Sequence, residues 1–126
     1  MTEQEIFDTA VIGVLKQGIA SVRDGGACAY RGKNGTKCAV GFLISDEEAE
    51  KYDEFDEYGV RDLISSGFLQ GFVYYSDLLA DLQRAHDKAA HEEEFVGAFY
   101  KRAKRVAAAY GLSISSLDDS NAEVGT

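Results

Sequence analysis

In the stretch SDLLADLQRAHDKAA, residues 76–90, apolar side chains recur every three or four residues. On a helix this spacing gathers the apolar residues on one side: Leu78, Leu79, Leu82 and Ala85. Ser76 can cap the start of this helix. A second helix is expected from about His91 to Tyr110, with Gly111 as its stop. Two adjacent amphipathic helices predict a domain that is mostly helical.

The N-terminal segment predicts a third long helix over residues 3–17. Thr2 followed by Glu5 forms a capping box, and Gly18 lies just past the last periodic residue. The apolar residues again share one side: Ile6, Phe7, Ala10, Val11, Val14 and Leu15. Ser45 or Asp46 can cap a shorter helix, and a helical turn is expected from Val60 until Gly67.

A glycine-rich segment interrupts the helices. Two short runs, residues 28–31 and 36–40, flank the turn sequence Gly-Lys-Asn-Gly at 32–35, which is typical of a β-hairpin. The run at 68–75 is equally consistent with a strand, a buried loop or an exposed apolar patch. The predicted fold class is therefore α+β, a mostly helical single domain over 1–112 with one small β-hairpin or sheet, followed by a flexible tail at 113–126.

The charge balance restricts the partners. The 126-residue chain has 22 Asp and Glu against 13 Lys and Arg, a net charge of −9. Phosphate surfaces repel such a chain, so neither direct nucleic-acid binding nor membrane binding is expected. The absence of a long apolar run and an acidic N-terminus predict a cytoplasmic protein. The cations Lys101, Arg102, Lys104 and Arg105 are too few for a nucleic-acid binder and are expected to pair with acids or remain solvated.

An acidic aromatic segment is the first candidate site. Residues 46–58 carry eight acids interleaved with three aromatic residues. Such a surface can compete for a cationic groove on another protein, and the aromatic rings can supply buried contacts. The expected partner-binding residues are Tyr52, Glu54, Phe55, Asp56, Glu57 and Tyr58. The alternative is a solvated acidic helix whose aromatic residues pack on the core.

The predicted hairpin offers a second candidate site. Arg31 and Lys37 can meet across the glycine-rich turn and bind a phosphate or carboxylate, with Tyr30 stacking on a nucleotide base and His86 nearby. In the alternative interpretation they are ordinary cations on an edge strand.

The two cysteines, Cys28 and Cys38, are expected to be thiols in a reducing compartment. Zinc bound by both with His86 or His91 is disfavoured because the ligands are not paired at short spacing. A disulfide needs the two positions to lie opposite each other. A cysteine nucleophile with His86 and Asp87 lacks a supporting motif. No catalytic residue, metal or cofactor is therefore assigned.

Three motifs of the chain resemble a family of small, mostly uncharacterised proteins encoded by tailed bacteriophages and prophages. They are Cys-x-Tyr-Arg-Gly at 28–32, Lys-Cys-Ala-Val-Gly-x-Leu-Ile at 37–44 and Leu-Gln-x-x-His-Asp at 82–87. The likeness extends from about Gln4 to Leu112 and departs from the family pattern at Phe42, where histidine is expected. The resemblance implies a phage accessory protein and attaches no reaction to it.

By analogy with other small acidic phage proteins, the first expectation is a non-catalytic inhibitor of a host antiviral defence system, anti-CRISPR-like, acting in the bacterial cytoplasm. Its partner would be a host defence protein bound through the acidic aromatic segment. The alternatives are a protein that sequesters a nucleotide signal at the hairpin and, last, a small Cys/His enzyme. An exposed patch at 68–75 would in addition favour a homodimer.

Overall fold

The structure is a computed structural model that describes residues 1–55 and 58–117. Its α-helices are α1 (Glu3–Gln17), α2 (Asp46–Asp53), α3 (Val60–Ser65), α4 (Ser76–Ala89) and α5 (Phe95–Tyr110). Short 3-10 segments cover Lys33–Gly35, Val40–Leu43 and Gln70–Tyr75. Within the described residues there is no strand or sheet, so the predicted α+β class is wrong and the domain is helical.

The ends of α1 are as the sequence predicts. The Thr2 hydroxyl accepts a hydrogen bond from the Glu5 amide at 3.1 Å, and the Glu5 carboxylate accepts one from the Thr2 amide at 2.9 Å. Gly18 takes a left-handed conformation (φ 77°) and donates its amide to the Val14 carbonyl. Since both caps are local, α1 is defined by its own sequence.

The core is formed mainly by α1, α4 and α5, whose apolar sides pack together. The buried residues of α4 include the four leucine and alanine positions expected from the sequence. In contrast, α5 begins at Phe95 and not near His91, because the Glu94 side chain accepts a hydrogen bond from the Gly97 amide and caps the helix there. This later start leaves residues 90–94 as a connection between the two helices.

The predicted hairpin is replaced by a loop over residues 18–44. It contains only isolated antiparallel bridges, Val22 with Cys28 and Arg31 with Lys37. Distant side chains bind amides on both sides of the turn, including those of residues 30 and 40, which a longer ladder would use. The Asp53 carboxylate accepts from the amides of residues 30 and 31, Gln17 accepts from residue 37, and Gln83 accepts from residue 40. Because these amides are already satisfied, the ladder does not extend.

The packed chain continues past residue 112. Leu117 is fully buried in the core, and Leu112 and Ile114 pack against it. The part of the predicted tail up to residue 117 is therefore attached to the domain, whereas the rest, 118–126, lies outside the described residues.

Phe42, where the resemblance led us to expect histidine, is a packing position. If Gly13 of α1 carried a Cβ atom, that atom would lie only 2.7 Å from the Phe42 ring. The ring therefore packs directly on the α1 backbone. The Lys37 ammonium lies 5.7 Å from the centre of the same ring. A flat ring at residue 42 therefore fastens the loop to α1.

Candidate functional site

The helical period of α2 places some residues of the acidic aromatic segment on the core side and others on the solvent side. Ala49 and Tyr52 face inward, and Tyr52 is only 4% exposed. Its ring packs edge-on against Tyr30 and Phe68, and its hydroxyl accepts from the Leu69 amide at 3.3 Å and donates to Glu48 at 3.2 Å. Burial raises the pKa of the Tyr52 hydroxyl. Tyr52 therefore belongs to the core.

The outward side of α2 carries the charge. Glu47, Glu50 and Glu54 are exposed at spacings of three and four residues, so they form one stripe. None of them forms an ion pair with another residue that the structure describes. Just beyond the helix, the rings of Phe55 and Tyr58 stack with their centres 5.2 Å apart, and Tyr58 is 44% exposed. We call these five residues the acidic face.

Six residues were expected to bind a partner, and the structure separates them. Glu54, Phe55 and Tyr58 lie on the acidic face, whereas Tyr52 is in the core. The expected residues Asp56 and Glu57 lie outside the described residues. Glu47 and Glu50 belong to the acidic segment at 46–58 but were not among the six named residues, although their spacing to residue 54 indicates one helix face.

Arg31, proposed as an anion ligand, holds the loop together. Its guanidinium donates to the carbonyls of Tyr30, Gly41 and Ile44 at 2.9–3.1 Å and to the Asp46 carboxylate at 2.8 Å. These bonds direct the guanidinium into the protein. The hydrogen bond from Arg31 to Asp46, together with the positive charge of the guanidinium, lowers the pKa of Asp46.

The four residues of the alternative ligand site do not form an open pocket together. Lys37 lies opposite Arg31 in an antiparallel bridge, as the turn predicts, with its ammonium over the Phe42 ring. Tyr30 is mostly buried, and burial raises the pKa of its hydroxyl. His86 is fully buried.

Cys28, His86 and Asp87 form a compact polar cluster whose ligand-type atoms all lie within 4.8 Å of one another. Nε2 of His86 accepts a hydrogen bond from the Ser21 amide at 3.0 Å. An amide can only donate, so Nε2 carries no proton; we therefore assign the proton to Nδ1, which donates to the Asp87 carboxylate at 2.9 Å. Gln83 donates to the same carboxylate oxygen at 3.1 Å.

This cluster is poorly suited to nucleophilic or metal chemistry. Burial, together with the charge and hydrogen bond of Asp87, raises the pKa of Cys28 to about 12, so the group is a thiol at neutral pH. Both nitrogens of His86 are already engaged, and a metal ion would have to displace the Ser21 amide or the Nδ1 proton. Cys38 is buried and His91 exposed, and neither belongs to the cluster. Both cysteines are free thiols.

A small cavity of about 150 Å³ connects the cluster to the acidic face. Its lining includes Cys28, Asp53, Tyr58, Gln83 and Asp87. Binding pockets for organic ligands usually enclose about 300–1,000 Å³. The cavity is therefore too small to enclose a nucleotide.

Cations from two helices line a groove that the sequence reasoning missed. Lys101, Arg102 and Arg105 of α5 line one cavity of about 380 Å³, and an adjoining cavity of about 240 Å³ adds Arg84 and Lys88 of α4. We call these five residues and their cavities the basic groove. The pairing expected with the acidic segment is not found among the described residues, where Arg102 instead pairs with Glu92 at 3.4 Å. The sequence signal for this groove is a pair of cations four residues apart on each helix, Arg84 and Lys88 on α4 and Lys101 and Arg105 on α5.

The segment at 70–75 is a surface 3-10 turn and not a strand or buried loop. Tyr74 is 93% exposed and Val73 43% exposed. Leu69, just before it, is buried in a left-handed conformation (φ 55°) that directs the chain outward. Phe68, Phe72 and Tyr75 pack against the core, so the exposed apolar surface of the segment, for which a homodimer was expected, is limited to Val73 and Tyr74.

Comparison of the chain with protein-family models, with curated proteins and with solved structures finds no match. Across residues 1–55 and 58–117, no helix has both the length and the apolar character that crossing a membrane requires.

Proposed function

We propose that the chain is a non-catalytic binding protein of a bacteriophage or prophage that inhibits a host antiviral defence protein in the bacterial cytoplasm. The acidic face is the proposed contact surface, and its partner is a cationic groove on the host protein. The observation that carries the proposal is the stripe of carboxylates at Glu47, Glu50 and Glu54, which form no ion pair within residues 1–55 and 58–117, beside the exposed Tyr58 ring.

The electrostatics of this stripe support a role in binding. Like charges three and four residues apart on a helix repel each other and slightly destabilise it. A cationic partner removes this repulsion and attracts the chain over a distance, which raises the rate of association. The adjacent Tyr58 offers an amphipathic ring of the kind that forms the centre of many protein interfaces.

A binding role is favoured over an enzymatic one by the state of the polar cluster. The Cys28 thiol is protonated, and the Nε2 lone pair of His86, which a general base would use, accepts the Ser21 amide. The expected nucleotide-sequestering role is not supported either, because Arg31 is bound to protein oxygens.

The experiment uses bacteria that each carry one antiviral system and express the chain. Phage plating efficiency measures inhibition, which we expect for at least one system. Reversal of two face residues in E50K/E54K should reduce the rescue at least tenfold, since like charges across an interface cost several kcal/mol. The control D24K/E93K makes the same change in net charge at exposed acids that are not among the five residues of the acidic face.

Either of two outcomes would refute this proposal. One is that no antiviral system is inhibited by the wild-type chain. The other is that E50K/E54K, shown by circular dichroism to be folded, inhibits as well as the wild type. Equal loss in D24K/E93K would instead show that net charge matters and the acidic face does not.

A further inference from the structure

The basic groove concentrates positive charge on a chain whose net charge is −9. Five cations line it, and the carboxylates on its walls are Asp81, Glu92 and Glu94. All three carboxylates have partners: Asp81 accepts from the Tyr110 hydroxyl at 2.7 Å, Glu94 caps α5 and Glu92 pairs with Arg102, and the five cations outnumber them. The groove is therefore a local positive region that attracts anions.

The guanidinium of Arg102 is incompletely satisfied within the described part of the protein. Its Nε is buried and has no hydrogen-bond partner among the residues that the structure describes. A buried donor without an acceptor destabilises the folded chain. The same guanidinium reaches Glu92 only through Nη2, at 3.4 Å, which is longer than a strong charged hydrogen bond.

We propose that the basic groove binds a small organic di- or polyphosphate. Arginine guanidinium groups match phosphate oxygens with two parallel donors, and Arg102 and Arg105 line both cavities. The cavity of about 380 Å³ falls in the range of small-ligand sites, and the adjoining cavity of about 240 Å³ extends it along the groove. Cations lie at both ends, Lys101 in one cavity and Arg84 and Lys88 in the other, so a ligand with more than one anionic group fits best.

A small ligand is favoured over a nucleic acid because of the charge of the whole chain. A nucleic acid extends beyond the groove and meets the remaining acidic surface, whereas a small polyphosphate is confined to the cations. The proposal concerns a different surface from the acidic face and does not rest on the function proposed above.

Glu92 is an internal competitor for the ligand. Its carboxylate pairs with Arg102 from the connection between α4 and α5, at the position where an anionic group of the ligand would meet the same guanidinium. Binding therefore requires Glu92 to move away. Removal of the Glu92 charge should therefore strengthen ligand binding, whereas removal of an arginine charge from the same groove should weaken it.

The test measures binding of inorganic tripolyphosphate by titration calorimetry at low salt. R102Q/R105Q should weaken binding at least tenfold, because each lost charged hydrogen bond contributes about 1.5–3 kcal/mol. Glu92→Gln should tighten binding several-fold. The control R61Q/K51Q removes the same charge from exposed sites outside the groove and should change binding less than twofold.

Three outcomes would overturn the proposal: no binding of tripolyphosphate to the wild type at millimolar concentration, equal weakening in R61Q/K51Q, or no tightening in Glu92→Gln. Tighter binding of a short single-stranded oligonucleotide that needs the same arginines would assign the groove to nucleic acid. Circular dichroism of each variant confirms that it is folded, so loss of binding is not loss of structure.

Discussion

Substitution of Arg31 should destabilise the folded domain, because this side chain holds the loop at residues 18–44 together. Its side chain is 19% exposed and donates to three backbone carbonyls, those of Tyr30, Gly41 and Ile44. Arg31→Ala leaves these acceptors without their charged donor. Hydrogen bonds to charged groups contribute about 1.5–3 kcal/mol each and are not additive, so we expect a loss of about 3 kcal/mol in the free energy of unfolding.

Urea unfolding followed by far-UV circular dichroism measures this loss. With a slope of about 1.5 kcal/mol per molar urea, the midpoint should fall by about 2 M. Asp46→Ala is the matched control, because it removes only the exposed end of the same network and should leave the midpoint nearly unchanged. Arg31→Lys keeps the charge but loses the planar set of donors, so it should restore less than half of the stability.

The structural role of Arg31 would be refuted by a midpoint shift in Arg31→Ala no larger than that in Asp46→Ala. In that case the guanidinium would be free to serve a ligand, as the sequence interpretation of the hairpin expected.

Two further predictions concern the polar cluster. Because its pKa is raised to about 12, Cys28 should be alkylated by iodoacetamide at neutral pH roughly a thousandfold more slowly than a free cysteine, with the rate rising tenfold per pH unit up to about pH 12. Asp87→Asn should speed the reaction, which intact-mass spectrometry follows, and a wild-type rate within tenfold of free cysteine would contradict the assignment. His86→Leu should lower the free energy of unfolding by about 2 kcal/mol, since the buried Ser21 amide loses its acceptor. The exposed His91→Leu is the control in the same urea titration, and equal effects of the two substitutions would refute the role of His86.

The helices were predictable where their signals are local. The capping box at Thr2, the stop at Gly18 and the leucine spacing of α4 each lie within a few residues of the helix that they define. The start of α5 was placed too early, because a glutamate cap at Glu94 is a weaker signal than the usual serine, threonine or aspartate.

The hairpin could not be excluded from the sequence because its competitors are distant. An Asn-Gly turn between short apolar runs normally pairs two strands. Here Asp53 of α2 and Gln83 of α4 bind the amides of residues 30 and 40, which a longer pairing needs, and Gln17 of α1 binds the Lys37 amide on the outer side. No pattern within residues 28–44 reveals side chains that arrive from elsewhere in the chain.

The candidate sites were predictable in part. The acidic face follows from the helical period, and counting that period through residues 46–54 would have assigned Tyr52 to the core. The basic groove needs two helices side by side, so its cations appear scattered when α5 is considered alone. Arg31 was chosen for its charge, but the three carbonyls that bind it come from separate turns of the loop.

The way in which the loop at residues 18–44 is held has a consequence for the order of folding. A hairpin closes early, because its partners are neighbours in the sequence and little chain entropy is lost. This loop has hydrogen bonds of its own, but it is complete only when α1, α2 and α4 have each contributed a side chain to it. Its backbone is therefore among the last parts of the domain to become ordered, and a substitution in any of the three helices is transmitted to it.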